Sequence, residues 1–462
     1  MLLSDTIAAI STPPGKGGVA VIRISGDDAL TIAQKIFKPR GKRTLADNPR
    51  VQIYGTIIKD EETIDDGMAT YFKKGASYTG EDTVEISCHG GVLISRAVLE
   101  AALCAGARAA GAGEFTRRAF TGGRITLTEA EEIGLLLDAE SYGHLKLARP
   151  DSRARLGLEL SEIRAALTAL LGSIYARIDY PDEDLGDLSD GQITDELSRI
   201  EKSITRLLST YKTGHAVREG IKAVIAGVPN AGKSTLYNIL TGTDSAIVTD
   251  IAGTTRDVLE KSVSLGDVML RLYDTAGIRD GGSDRIESIG IERSKEKLRE
   301  AELVLALFDS TGELTGEEEE FISILKGVEC EKIILLTKSD LGSANPDKLE
   351  RLIKEFGEPM RISDKNESEA LGMITERVTK LFTDERIRIG TDAIISTARQ
   401  SAILYRTLEH VRLATDAYGM GLTDDVASSD IELALAAISE LEGSAVSESI
   451  VADIFSRFCV GK

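Results

Sequence analysis

The stretch Lys222-Ala-Val-Ile-Ala-Gly-Val-Pro-Asn-Ala-Gly-Lys-Ser-Thr235 decides the fold of the central part of this chain. After Lys222, Ala223-Val-Ile-Ala226 forms an apolar run that reads as a strand. Gly227 to Ser234 then fits G-x-x-x-x-G-K-[ST], and the residues that follow read as a helix. A strand, a glycine-bearing loop and a helix N-terminus in that order make a phosphate cradle. The glycines let backbone N–H groups wrap an anion, and the helix end adds its dipole. Lys233 offsets charge on the β- and γ-phosphates, and Ser234 ligates Mg²⁺. Asn230, Ala231, Gly232, Lys233, Ser234 and Thr235 are the expected nucleotide contacts of this loop.

Two companion motifs identify the nucleotide. Asp274-Thr-Ala-Gly277 follows the alternating run Val268-Tyr273, which places Asp274 near Mg²⁺ and lets the Gly277 N–H sense a γ-phosphate, with Thr275 and Ala276 between them. Thr337-Lys-Ser-Asp340 follows the apolar strand Ile333-Leu336. A carboxylate at Asp340 accepts from N1–H and the 2-amino group of guanine, a pair of donors that adenine lacks. The Lys338 stem covers the base. Thr337 stands where such motifs usually carry Asn, and its hydroxyl replaces part of the amide's hydrogen bonding. Ser363, in Arg361-Ile-Ser-Asp364, falls where a further loop reaches the guanine carbonyl or makes an ordinary turn. With Leu303-Phe308 as another strand, this is the pattern of a parallel sheet covered by helices, an α/β P-loop GTPase (Ras-like) domain over residues 214–384.

The residue after Gly277 is Ile278, which cannot orient water as a glutamine does. Catalytic groups must come from another side chain, a partner or a cation. The polar loop between Asp244 and Asp257 carries two adjacent threonines, of which Thr255 is positioned to ligate Mg²⁺. Asn230 has an amide oxygen suited to a monovalent cation, or is a turn residue tolerating unusual φ. Arg256 and Arg279 are fingers in cis, or structural ion pairs.

The flanks differ in kind. Residues 1–120 alternate β-rich runs (Gly18-Ile24, Val51-Ile58, Thr83-Ser87) with helical segments (Asp28-Ile36, Val92-Leu103), which predicts an α+β domain. From Glu129 to about Tyr211 apolar residues recur at helical spacing, with one break at Tyr180-Asp184, and the helical pattern returns after Ile394. An all-α domain is thus split by the GTPase domain: residues 121–213 and 385–462, whose two parts pack together. Multiple domains also suit 462 residues. The net charge of −20 argues against wholesale wrapping of nucleic acid. Residues 1–120 carry 15 Lys/Arg against 14 Asp/Glu, however, so the acidity lies elsewhere. Lys35, Lys38, Arg40, Lys42 and Arg43 form a basic run there, read as a solvated loop or a phosphate-contacting patch. Four scattered cysteines fit a reducing compartment, no stretch approaches the ~18 apolar residues of a membrane span, and the N-terminus has no export signal. A cytoplasmic protein without a membrane partner is expected.

Over essentially its full length the chain resembles the MnmE (TrmE) family of tRNA-modification GTPases. The resemblance is carried by Asp5-Thr-Ile-Ala-Ala-Ile-Ser-Thr-Pro-Pro-Gly-Lys-Gly-Gly-Val19, Tyr78-Thr-Gly-Glu-Asp-Thr-Val-Glu85, His89-Gly-Gly91, Gly113-Glu-Phe-Thr-Arg-Arg-Ala-Phe120, the GTPase motifs and Phe458-Cys-Val-Gly-Lys462. It implies that residues 1–120 bind a tetrahydrofolate derivative (5-formyl- or 5,10-methylene-) and form a homodimer. It also implies an FAD-containing partner, MnmG, with which a carboxymethylaminomethyl-type group is added at C5 of the tRNA wobble uridine. Carried over by position, the folate contacts are Arg23, Glu85, Arg124 and Lys462. The potassium site is Asn230, Thr249, Ile251 and Thr254, and the water-orienting residue is Glu287. Cys459 matches a residue used in the modification.

The leading reading is therefore a potassium-stimulated GTP hydrolase coupled to tRNA modification. A different class, a ribosome-assembly or regulatory GTPase acting as a binding switch, shares the Pro229-Asn-Ala-Gly-Lys-Ser234 loop but usually carries a basic RNA-binding module; the acidic helical flanks and the terminal Cys459-Val-Gly-Lys462 disfavour it. A folate sensor without chemistry is a third reading.

Overall fold

The computed structural model describes residues 5–180, 188–242, 260–273, 298, 300–342, 345–443, 448–456 and 458–461. They belong to two compact units, Met1–Gly134 with Ser439–Lys462, and Leu135–Ile438.

In the first unit, seven strands among the described residues form one sheet: β1 (Ile7–Ile10), β2 (Val19–Ser25), β3 (Phe37–Pro39), β4 (Ile53–Lys59), β5 (Glu62–Phe72), β6 (Thr83–His89) and β7 (Arg108–Ala109), in the order β3-β4-β5-β6-β2-β1-β7. All neighbours are antiparallel except β1 and β7. Helices Ala29–Ile36 and Val92–Cys104 supply Ile32, Ala33, Ile36, Val98 and Ala102 to a core shared with Ile22, Ile24, Ile57 and Ile86. The long strand β5 escapes a pattern reading because Gly67, Ala69 and Tyr71 are its core-facing residues, so glycine and alanine carry most of its alternation. Gly67 is required by close approach: a Cβ there would lie 2.2 Å from the Ser87 carbonyl oxygen.

The chain's last described residues complete this unit. Helix Glu448–Ser456 brings Val451 and Phe455, with Phe458 beyond it, against Phe120, Leu127 and Ala130. Ala112 and Val460 then form an antiparallel bridge.

The second unit holds helices and an α/β module. Helix Pro150–Asp179 ends at the Tyr-Pro-Asp break, and Asp190–Ser209 starts on a capping box of Ser189 and Gln192. Helix Asp190–Ser209 turns Ile193, Leu197, Ile200 and Ile204 inward and packs against both Pro150–Asp179 and Ala398–Gly419. Arg412 and Glu201 pair at 2.7 Å, joining a helix that precedes the α/β module to one that follows it.

Six strands among the described residues make the second sheet: β8 (Ile221–Gly227), β9 (Glu260–Leu265), β10 (Val268–Tyr273), β11 (Leu303–Asp309), β12 (Glu331–Thr337) and β13 (Met360–Arg361), in the order β13-β12-β11-β8-β10-β9. Only the β9–β10 pair is antiparallel. Helices cover both faces, as a buried parallel sheet demands. Leu236, Leu240, Ile374 and Val378 close one side, and Ile322, Leu325 and Leu352 the other. The parallel strands release their loops at one carboxyl edge, where open α/β sheets bind ligands. No helix among the described residues is long and apolar enough to cross a membrane.

Beneath that edge lies a buried ion pair. Lys348, on helix Pro346–Phe356, donates to Glu318 Oε1 at 2.9 Å and to the Asp309 carbonyl at 3.0 Å. Glu318 also accepts from the Thr315 N–H at 3.0 Å in a second capping box. Both charged side chains are 2 % exposed. Removing one partner strands the other charge away from water. Lys348→Met is therefore expected to destabilise the protein by about 3–5 kcal/mol, read as a fall in the urea midpoint.

Candidate functional site

β8 runs into the phosphate loop, and helix Lys233–Thr241 leaves it. Two consecutive demands shape the loop. Asn230 sits at φ 61°, and Gly232, the residue before the helix, at φ 93°. A side chain at Gly232 would be strained in that left-handed conformation, which fits the motif's glycine. Ser234 and Thr235, at the first turn, are exposed, as is Asn230. Lys233 folds back so that its ammonium donates to the Gly227 carbonyl at 2.7 Å and the Val228 carbonyl at 2.8 Å. Burial pushes this ammonium below the usual lysine range. An ammonium held there stands ready for anionic oxygens brought to the loop.

The base-side loop follows β12. Thr337 is buried, and its hydroxyl donates to the Ala231 carbonyl at 2.9 Å and toward the Phe308 carbonyl at 3.2 Å. The residue in the usual asparagine position thus ties the phosphate loop to the ends of β11 and β12. Asp340 accepts from Ser363 Oγ at 2.9 Å and pairs with Lys365 at 2.6 Å. Lys365 first, and then Ser363, hold the Asp340 carboxyl below the usual carboxylate range. A carboxylate has about four acceptor positions, so these two contacts leave room for the two donors of a guanine edge. Ser339 fastens the two loops together through the Ile362 carbonyl, its Oγ at 3.0 Å. The structure therefore brings Asn230, Ala231, Gly232, Lys233, Ser234, Thr235, Thr337, Lys338, Asp340 and Ser363 to one edge of one sheet. Thr249, Ile251, Thr254, Thr255, Arg256, Asp274, Thr275, Ala276, Gly277, Ile278, Arg279, Glu287 and Lys462 lie outside the described residues.

Pattern reading passed over Asp309, the last residue of β11, and Ser310 directly after it. Asp309 Oδ2 receives the Lys338 ammonium at 2.5 Å, and Ser310 Oγ donates to the Lys338 carbonyl at 3.0 Å. Burial opposes charge on Asp309, but Lys338 and Thr311 outweigh it and keep the carboxyl below its usual range. A signal existed: polar residues where a parallel strand meets its carboxyl edge are site candidates.

The first unit holds a second cluster. Arg23 on β2 stands across from Glu85 on β6, and the two pair at 2.9 Å. The Arg23 guanidinium lies 5.5 Å from the ring centres of both Tyr78 and Phe115. Arg124 donates to the carbonyls of Gly75 at 2.9 Å and Ser77 at 3.2 Å. The two arginines thus frame the loop that carries Tyr78, and both are half-buried or exposed enough to meet a ligand. Cys459 is exposed and belongs to the same unit, its carbonyl accepting from the Gly113 N–H at 3.4 Å. In the basic run, Arg40 pairs with Asp66 at 2.7 Å and Lys35 donates to the Ala105 carbonyl at 3.1 Å.

Comparison with known proteins covers both units. The family described as GTP-binding protein TrmE N-terminus matches residues 6–124, and the MnmE helical domain matches residues 127–459. The tRNA modification GTPase MnmE of Heliobacterium modesticaldum is 38% identical over 470 residues, covering 100% of each chain. That of Clostridioides difficile is 35% identical over 465 residues, again covering 100% of each. Among solved structures, Era of Aquifex aeolicus bound to GDP.AlF4- is 26% identical over 43% of this chain and 66% of that one, with a TM-score of 0.27.

The Thr337 hydroxyl generates a prediction. Thr337→Val keeps the shape and leaves the Ala231 carbonyl without its donor, at a cost of about 1–3 kcal/mol. The expected outcome is a lower thermal midpoint together with weaker binding of a fluorescent guanine nucleotide. A variant that melts and binds as the parent does removes this hydroxyl from the site's support.

Proposed function

This chain belongs to the MnmE family of tRNA modification GTPases, and from that membership we propose that it hydrolyses GTP, with potassium as a stimulating cation, while taking part in carboxymethylaminomethyl-type modification at C5 of the tRNA wobble uridine. The observation that carries the reading is the sharing of one sheet edge by the phosphate loop and the Thr337–Asp340 loop, tied by the Thr337–Ala231 hydrogen bond.

In this reading Asp340 selects guanine at its N1–H and 2-amino group, Ser363 steadies that carboxylate, and the Lys338 stem covers the base. Backbone N–H groups from Asn230 to Thr235 hold the phosphates, with Lys233 transferring its ammonium from loop carbonyls to phosphate oxygens. Ser234 with Thr255 holds Mg²⁺, and Asp274 to Gly277 follow the γ-phosphate. Asn230, left-handed and exposed, offers its amide oxygen to potassium, with Thr249, Ile251 and Thr254 as the other ligands. A cation held by these residues would supply positive charge to the phosphates during hydrolysis, the part an arginine finger plays elsewhere. Ile278 leaves water without a neighbouring glutamine, and Glu287 orients it instead.

Residues 214–384 form the hydrolysing domain, 121–213 and 385–462 the helical domain around it, and 1–120 the folate-binding and dimerising domain. Arg23, Glu85, Arg124 and Lys462 bind the tetrahydrofolate derivative. The pairing of Arg23 with Glu85 beside Tyr78 supports this, because it joins a donor, an acceptor and an aromatic face as a pteridine requires. Cys459 serves the modification chemistry. The partners are a second copy of the chain, the FAD-containing MnmG and tRNA, and the setting is the cytoplasm. The acidic charge of the chain disfavours the alternative of a switch GTPase acting through a basic RNA-binding module.

Two experiments test the reading. Turnover at fixed ionic strength is expected to rise on the order of tenfold or more, at least 1.4 kcal/mol of barrier, with potassium, rubidium or ammonium, and not with sodium. Asn230→Ala removes that response and leaves nucleotide binding intact, whereas Glu287→Ala slows hydrolysis at unchanged GTP affinity. Equal rates in sodium and potassium exclude the cation. Separately, nucleoside analysis of wobble uridines in a strain lacking this chain should show the modification absent. The parent chain should restore it and Arg23→Ala should not. Full modification without the chain points to the switch reading.

A further inference from the structure

Lys338 holds φ at 56°, a left-handed backbone that a residue with a side chain keeps only when its surroundings impose it. Asp309, which ends β11, and Ser310 after it impose it. The Ser310 N–H donates to the Thr337 carbonyl at 3.0 Å, and its Oγ donates to the Lys338 carbonyl at 3.0 Å. Asp309 takes the other end of the same residue, receiving the ammonium on Oδ2 at 2.5 Å. Its own position is fixed from both sides. Oδ1 accepts from the Thr311 N–H at 2.8 Å and the Thr311 hydroxyl at 2.7 Å, while its main-chain carbonyl accepts from the buried Lys348 at 3.0 Å. Lys348 is anchored in turn by Glu318. A line of contacts therefore runs from a buried ion pair between two helices to the tip of an exposed-edge lysine.

We propose that Asp309, seconded by Ser310, is a positioning residue for the nucleotide base: it tethers the Lys338 ammonium so that the four-carbon stem lies as a fixed apolar platform for one face of the purine. The inference rests on the reading of this edge as the guanine site. Its physical content is preorganisation. An untethered lysine stem loses rotamer freedom when a base settles on it, and a stem held before binding has already lost it. The stem meets the flat face of the base, whereas Asp340 meets its edge. Loss of the tether must therefore weaken all purine nucleotides alike, while loss of Asp340 must change which purine is preferred.

The experiment measures dissociation constants and turnover of the full chain with GTP, ITP and XTP. Asp309→Asn is expected to raise all three dissociation constants by the same factor, on the order of tenfold, with kcat at saturating GTP within about twofold of the parent. Asp309→Glu should recover part of the loss. Lys338→Met, which keeps an apolar stem without an ammonium, should weaken binding similarly. In that background Asp309→Asn should add nothing, because there is nothing left to tether. A purely structural Asp309 gives the opposite result: the same factor appears on both backgrounds. That result overturns the proposal, as does unchanged affinity in Asp309→Asn or a shift in the GTP-to-XTP ratio. If Asp309→Asn does not fold, Thr311→Val, which removes one of the donors that fix Asp309 Oδ1, is read in the same two backgrounds: a smaller loss in the parent and none in Lys338→Met supports the tether, and an equal loss in both overturns it. Asp340→Asn runs alongside. If it fails to shift preference toward XTP, the guanine-site reading fails. If it shifts and the Asp309 variants do not weaken binding, only the tether fails.

Discussion

One buried hydroxyl holds the nucleotide edge together. Thr337 ends β12, and its proton is shared between the Ala231 carbonyl of the phosphate loop and the Phe308 carbonyl near the end of β11. Parallel strands deliver their loops to one side of a sheet, but nothing in strand pairing sets the distance between those loops. That distance must suit a nucleotide, with phosphates at one end and a base at the other. A short hydrogen bond between the two loops sets it without a ligand's help. Because the hydroxyl is fully buried, the bond is not exchanged with water, and leaving its acceptors unmet costs more than the bond itself contributes.

Much of this was legible beforehand because the relevant signals are local. The phosphate loop is eight consecutive residues with a strand before it and a helix after it, and each piece is written in periodicity or in glycine placement. β8, β11 and β12 were legible as apolar runs of the right length, since strands buried on both faces need no alternation. What was not legible depends on partners far away in sequence. Thr337 was read as a partial stand-in for an amide, and nothing nearby revealed that its acceptors are Ala231 and Phe308. Asp309 reads as an ordinary loop acid until Lys338 and Lys348 arrive beside it. β5 was hidden for a different reason: its inward residues include Gly67 and Ala69, chosen by the closeness of β6 rather than by hydrophobicity.

Charge is handled differently at the two clusters. At the nucleotide edge, among the described residues, Lys233 is held by loop carbonyls, Lys338 by Asp309 and Lys365 by Asp340. In the first unit Arg23 lies between two aromatic rings with Glu85 alongside, an arrangement built for stacking and in-plane hydrogen bonds. It is suited to a flat, polar heterocycle more than to a phosphate.

The first unit is closed by residues from both ends of the chain. Phe455 and Phe458 cover Leu127 and Ala130, and Val460 bridges to Ala112. On the ribosome, residues 1–134 emerge long before the segment that completes them. At roughly 5–20 residues per second the whole second unit is made in between, an interval on the order of tens of seconds. Throughout that time Phe120, Leu127 and Ala130 lack the cover of Val451, Phe455 and Phe458. The nascent protein therefore passes through a stage at which its first-made unit is its last to finish. A chain cut before Glu448 keeps the residues of the nucleotide edge and lacks those that close its first unit.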